Sequence, residues 1–156
     1  MEKAIFAAGC FWGVQLDFDK AAGICATVVG YIGGHSLSPT YEEVCSGTTG
    51  HAEALEVSFD PEIITFQELL DIFWQCHNPT TLNQQGPDRG SQYRSAIYYN
   101  SEEQRLAAEK SKINCTASAL WPDPIVTEIT QAGKFWRAED YHQKYLEKRH
   151  ITISCH

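Results

Sequence analysis

The order of strand-like and helix-like segments predicts an α+β fold, a two-layer sandwich with helices packed on one face of a sheet. Three observations carry this. Strand-like segments fall at residues 4–8, 25–32, 53–59, 95–99 and 125–129, with helical patterns after the first, third and fourth, so the order is β-α-β-β-α-β-α-β. The first six of these elements follow the split β-α-β order of a ferredoxin-like plait. Two helix starts are also written in side chains: Thr65 with Glu68 and Ser101 with Gln104 have capping-box spacing, in which each pair satisfies exposed backbone N–H groups reciprocally. At 156 residues and 43% hydrophobic content the chain has material for one ordinary core, and one domain is expected over 1–156.

Taken in order, Ala4-Ile5-Phe6-Ala7-Ala8 reads as a short buried strand, and Gly9 permits a sharp turn after it. A helix then begins near Phe11, with Val14 and Phe18 on one side. In 53–59 strict alternation puts Glu53, Leu55, Val57 and Phe59 on one face and Glu56 on the other. The stretches 33–50 and 77–93 are rich in Gly, Pro, Thr, Asn and Gln and read as long irregular loops, which usually carry function. Beyond Ala132 a short helical pattern lies around 141–148, and the tail from about 149, ending in Cys155-His156, reads as mobile.

Twelve Lys and Arg against twenty Asp and Glu give a formal charge of −8, the wrong sign for neutralising phosphate backbones, so nucleic acid is excluded as a partner. No apolar run approaches the ~18 residues that span a bilayer, and Met1-Glu2-Lys3-Ala4-Ile5 opens no leader pattern. The expectation is a cytoplasmic monomer with no membrane partner. Disulfide frameworks serve mainly shorter secreted chains, so the six cysteines are expected to be mostly reduced. Asn114-Cys115-Thr116 has the form of a glycosylation acceptor, but it lies inside a helical pattern. The six histidines show no metal-binding spacing with one another or with cysteine, and no metal is expected.

The pentapeptide Gly9-Cys10-Phe11-Trp12-Gly13 puts one thiol at a strand-to-helix turn. Unpaired N–H groups and the positive end of the helix dipole favour thiolate there, so Cys10 is expected to be a reactive nucleophile with Phe11 and Trp12 lining an apolar recess. Glu53 shares the core-facing side of its strand, where lost hydration raises a carboxyl pKa and makes a proton donor at neutral pH. The alternative is a frayed strand end, or an ion pair with Arg89 or Arg94.

The chain resembles the A-type peptide methionine sulfoxide reductases. The likeness extends beyond the pentapeptide to Thr40-Tyr41-Glu42-Glu43-Val44-Cys45, Thr49-Gly50-His51-Ala52-Glu53, Asn78-Pro79-Thr80-Thr81, Asp88-Arg89-Gly90-Ser91-Gln92-Tyr93-Arg94-Ser95 and Ala138-Glu139-Asp140-Tyr141-His142-Gln143, all in family order. The resemblance implies that Cys10 is the nucleophile and Glu53 the proton donor. It implies a methyl cage of Phe11 and Trp12, hydroxyl donors to the sulfoxide oxygen in Tyr41 and Tyr93, and an ordering role for Asp88. Substrates would be the S epimer of methionine sulfoxide, free or in oxidised proteins. Cys10 would end as a sulfenic acid, a second cysteine would convert it to a disulfide, and thioredoxin would reduce that, with no metal, flavin or nicotinamide cofactor.

The family's resolving cysteine often follows a Gly-rich or Asn-Pro segment, whereas Cys155 follows Ile151-Thr152-Ile153-Ser154, a stiffer approach. Cys155 is nevertheless the expected resolving thiol. Cys25, Cys45, Cys76 and Cys115 read as small buried hydrophobes, with Cys45, in a substrate-side loop, as its understudy. His142 reads as a surface or packing residue outside the mechanism. Two other classes fit the residues alone: a cysteine hydrolase pairing Cys10 with His51 or His142 and Asp88 or Asp140, and a non-enzymatic redox sensor switching Cys10 against Cys155.

Overall fold

β1 (Glu2–Ala8) is the strand that delivers the thiol, and its apolar residues Ala4 to Ala8 are buried as the sequence predicts. The computed structural model describes residues 1–152. After β1 the chain turns at Gly9, whose φ of +96° is left-handed, and a Cβ there would lie 2.6 Å from Cγ of Gln85. Both facts demand glycine. There follow α1 (Phe11–Asp19), β2 (Ile24–Ile32), α2 (Tyr41–Cys45), β3 (Ala52–Phe59), α3 (Phe66–Gln75), the short β4 (Gln84–Gln85) and β5 (Asp88–Arg89), β6 (Ser95–Tyr99), α4 (Glu102–Ala117), β7 (Glu128–Gln131), β8 (Trp136–Arg137) and α5 (Tyr145–Lys148).

The main sheet has the order β7-β6-β1-β3-β2-β8. Its middle four strands, β6-β1-β3-β2, pair antiparallel throughout, which is the predicted split plait. α4 then carries the chain to β7, parallel to β6, and β8 adds two residues on the far edge opposite Gly30 and Tyr31. The last predicted strand lies three residues later at its start than the sequence suggests, at Glu128 rather than 125. β8 is too short to leave a period in the sequence, because two residues make no alternation.

Alternation along β3 sorts the two faces. Leu55, Val57 and Phe59 face the helices, where Phe6 stacks with Phe18 at 5.2 Å and meets Phe73 at 5.4 Å. Ala52 and Ala54 face the other way with Ile5, Ala7, Ile32, Ala96 and Tyr98, roofed by Ala132 and Phe135. Thr65 and Glu68 form the reciprocal cap on α3, whereas on α4 Ser101 caps Gln104 while the Gln104 side chain accepts from Asn100 instead. A second reciprocal cap, Thr40 with Glu43, starts α2 inside the stretch 33–50 that the sequence leaves irregular. Among the described residues no helix is long and apolar enough to cross a membrane.

Candidate active site

The end of β1 and the start of β3 meet at one end of the sheet's central strand pair, because these strands are antiparallel neighbours. Glu53 stands there at 1% exposure, opposite Tyr31 of β2. Its Oε1 accepts the N–H of Phe11 at 3.1 Å, while Oε2 is buried with no partner among the described residues. Burial raises its pKa to about 8, against the pull of the Phe11 N–H, and the nearby charge of Asp88 adds to the rise. The ion-pair alternative does not occur: Arg94 donates to the carbonyls of Ser91 and Gly50 and lies 3.7 Å from Glu128, and Arg89 makes no ion pair among the described residues.

Cys10 occupies the N-cap of α1, half-buried, with no cap hydrogen bond from its side chain. Here the expectation of a favoured thiolate is corrected. Burial pushes the thiol up to about 12, a charge on Glu53 pushes the same way, and the N–H groups of Trp12 and Gly13 counter only in part. Desolvation outweighs the helix end because the sulfur sits against the core rather than at an open helix terminus. At neutral pH the site therefore holds a thiol beside a carboxylic acid.

The walls are aromatic. Phe11 is buried, with its ring 5.7 Å from Tyr31 and 6.5 Å from Tyr41, and half-buried Trp12 stacks toward Tyr41 at 6.4 Å. Tyr41 is the first residue of α2, held by the Thr40–Glu43 cap and by its own N–H donating to Glu139 at 3.0 Å. Burial keeps the hydroxyls of Tyr41 and Tyr93 protonated, and both pull against the rise of the Cys45 thiol. Tyr93 also feels the charges of Glu53 and Asp88. Cys10, Phe11, Trp12, Tyr41, Glu53, Asp88 and Tyr93 thus share one site. Cys155 lies outside the described residues. Cys76 and Cys115 are half-buried and pack against the core, whereas Cys25 and Cys45 are exposed, which corrects the reading of those two as buried hydrophobes: Cys25 sits at the irregularity in β2 and Cys45 ends α2.

Sequence reasoning left three contributors of the block Ala138 to Gln143 without a role. Glu139 accepts the Tyr31 hydroxyl at 2.9 Å as well as the Tyr41 N–H. Gln143 exchanges two 3.0 Å hydrogen bonds with the backbone of Val29, standing in for a strand neighbour. His142 is fully buried, and its Nδ1 accepts the Trp12 indole N–H at 2.9 Å. None lies in a periodic segment, so only the block match marked them. The hydrolase arrangement does not form: His51 spends Nδ1 on the Gly34 N–H and Nε2 on the Ser36 carbonyl, His142 takes the Trp12 N–H on Nδ1 and makes no hydrogen bond to Cys10 through Nε2, and Asp140 pairs with Arg137 at the surface.

A thiol, a neutral acid and two phenols around an aromatic recess suit a thiol-dependent reductase that draws oxygen off a small apolar substrate, carried on a split plait. The comparisons narrow that class. The family model described as peptide methionine sulfoxide reductase matches residues 2–156, and the chain belongs to that family. It is 58% identical over 147 residues to the peptide methionine sulfoxide reductase MsrA of Methanothermobacter thermautotrophicus, covering 94% of this chain and 87% of that protein. Among solved structures it is similar to reduced Mxr1 of Saccharomyces cerevisiae, with TM-score 0.91 and 38% identity over 99% of this chain and 88% of that one. Mxr1 in complex with Trx2 matches at TM-score 0.66 and 28% identity, over 92% and 84%.

Proposed function

We propose that the protein reduces the S epimer of methionine sulfoxide, free and in proteins, to methionine, with Cys10 as nucleophile and Glu53 as proton donor. The observation that carries this reading is the unpartnered Oε2 of a buried, neutral Glu53 beside the helix end that bears Cys10. A sulfoxide sulfur is a poor electrophile until its oxygen receives a proton or hydrogen bonds. The S-methyl group enters between Phe11 and Trp12, and the oxygen meets Glu53, Tyr41 and Tyr93, with Asp88 ordering the pocket. Glu53 gives its proton to the oxygen as the Cys10 sulfur attacks, and the thiol proton returns to Glu53. The Cys10 sulfur first bonds to the sulfoxide sulfur; that S–S bond and the substrate S–O bond then break as the protonated oxygen bonds to the Cys10 sulfur, so thiol plus sulfoxide becomes sulfenic acid plus thioether. Cys10 loses the two electrons that methionine sulfur gains.

Cys155 then attacks the sulfenic sulfur, water departs, and thioredoxin reduces the resulting disulfide by exchange. The complex of Mxr1 with Trx2 supports this recycling. The reading takes residues 1–156 as a single domain acting in the cytoplasm. The test is reduction of methionine sulfoxide with dithiothreitol as electron source, comparing wild type with Cys10→Ser. The serine variant should fold and show no turnover, and activity persisting in it overturns the assignment.

A further inference from the structure

Tyr41 opens α2, a five-residue helix in the connection between β2 and β3. Val44 packs this helix against the core, but its hydrogen bonding is nearly self-contained. Among the described residues its backbone hydrogen bonds close on residues 40–47, with one exception. The Tyr41 N–H donates to Oε2 of Glu139 at 3.0 Å. Glu139 stands on fixed backbone: it follows β8, which pairs with Gly30 and Tyr31, and the N–H of Ala138 just before it donates to the Val29 carbonyl at 3.0 Å. Its other oxygen, Oε1, accepts the Tyr31 hydroxyl at 2.9 Å. Tyr31 is fully buried and stands opposite Glu53 in the register of β2 with β3. One carboxylate therefore reaches from the strand pair that holds the acid to the first residue of the helix that holds a phenol.

A carboxylate is a costly group in that place. Glu139 is half-buried and makes no ion pair among the described residues, so no cation offsets its lost hydration. Burial pushes its pKa up, but hydrogen bonds from the Tyr41 N–H, its own N–H and the Tyr31 hydroxyl outweigh that and hold it below its ordinary value. Ionised, it accepts with both oxygens at once, and hydrogen bonds to a charged acceptor are the stronger kind. What the cost secures is a common anchor for Tyr31 and Tyr41.

We propose that Glu139 is a positioning residue for the reduction: by joining the Tyr31 hydroxyl to the Tyr41 N–H, it sets the Tyr41 phenol at a fixed place relative to Glu53, so that both donors converge on one sulfoxide oxygen. This rests on the reading that the Tyr41 hydroxyl meets that oxygen.

The experiment is a double-mutant cycle on the single-turnover rate at saturating methionine sulfoxide, with KM followed alongside. Tyr41→Phe should slow the step by roughly 10–10²-fold, less than the loss of a sole oxyanion donor because Tyr93 remains. Glu139→Ala frees α2 and should slow it by about tenfold or more, since a small misplacement of a catalytic group is enough for that, with KM within about threefold of wild type. In the Tyr41→Phe background the same alanine should add about twofold or less. Glu139→Gln offers its amide oxygen to the Tyr41 N–H and its amide N–H to the Tyr31 oxygen, and should return the rate to within about fivefold of wild type. Should Glu139→Ala fail to fold, Tyr31→Phe, which removes one end of the span and keeps the ring, goes through the same cycle with the same expectation. Losses that multiply in the double variant overturn the proposal, because Glu139 would then act on the fold or on another group. So does Glu139→Gln as slow as Glu139→Ala, which would make the charge and not the span the active feature. Tyr41→Phe at the wild-type rate also overturns it, while leaving reduction by Cys10 and Glu53 intact. If wild type reduces no methionine sulfoxide, the reductase reading itself has failed, a result distinct from these.

Discussion

The backbone N–H of Phe11 donates to Oε1 of Glu53, and this one bond fixes a buried carboxyl to the helix end that carries the Cys10 thiol. It also decides where the proton of Glu53 resides. Oε1 serves as acceptor, so the acid O–H sits on Oε2, the oxygen without a partner. A neutral acid with its hydrogen uncommitted is able to hand it to an incoming oxygen without first breaking a bond.

The first prediction follows from that proton. Because the carboxyl titrates at about 8, single-turnover reduction should be nearly flat from neutral pH downward and fall above about 8 as Glu53 ionises. Glu53→Gln keeps an oxygen for the Phe11 N–H but offers no acidic proton, so the step should slow by roughly 10²–10⁴-fold and lose the alkaline limb. Methionine formation per enzyme, followed against pH in both forms, checks it; a glutamine variant with the wild-type rate would remove Glu53 from the chemistry.

Stability carries the same group with a definite sign. The folded pKa of about 8 lies above the unfolded value of 4.5, so the contribution of neutral Glu53 is complete below 4.5 and is lost as pH rises through 8. Each pH unit inside that window costs at most about 1.4 kcal/mol. Glu53→Gln does not titrate, so its Tm should gain on wild type between pH 5 and pH 8, with the gap constant above about pH 9. Parallel Tm curves would mean that burial does not perturb this carboxyl.

Glu53 is legible in the sequence because a period of two needs no tertiary knowledge: Leu55, Val57 and Phe59 point into the core, and Glu53 follows them. The strand-to-helix turn at Gly9 is legible for a similar local reason. The ionisation of Cys10 is not, since the helix end is visible in the sequence while the packing that desolvates the sulfur is a sum over distant segments. Gln143 supporting Val29 and Glu139 holding Tyr31 bridge more than a hundred residues, beyond any periodic signal. α2 is a different case. Five residues are too short to display helical periodicity, yet Thr40 and Glu43 have the same spacing that marks α3, and that cue was available.

Gly9 yields a structural prediction with a functional readout. In Gly9→Ala a left-handed φ of +96° and a Cβ only 2.6 Å from Cγ of Gln85 act together. Gln85 has little room to retreat, since its amide accepts from the Asn78 N–H and donates to the Asn78 carbonyl. Backbone strain of this kind costs on the order of 1–3 kcal/mol before any repacking. The variant should melt several degrees lower, and its single-turnover rate should fall because Cys10 follows the displaced turn. A Tm equal to wild type would show that the turn relaxes without cost.

The resolving thiol can be assigned by separating its step from the first. In Cys155→Ser the attack on substrate is untouched, so one equivalent of methionine should form per enzyme, while thioredoxin-driven turnover should collapse for want of a disulfide to exchange. Dithiothreitol reduces a sulfenic acid directly and should restore turnover. Cys45 is the competitor with a structural claim: it is exposed, ends α2, and its thiol feels the hydroxyls of Tyr41 and Tyr93, the two phenols proposed to meet the substrate oxygen. Its thiol is raised above its ordinary pKa in the same direction as that of Cys10, so ionisation does not separate the candidates. What counts against Cys45 is its place at the end of α2, whose start the Thr40–Glu43 cap fixes, since a resolving thiol has to travel to Cys10. Peptide mapping of wild type oxidised by one equivalent of substrate should therefore find Cys10 joined to Cys155, with Cys45 still alkylatable; a Cys10 to Cys45 disulfide as the main product would transfer the resolving role to α2.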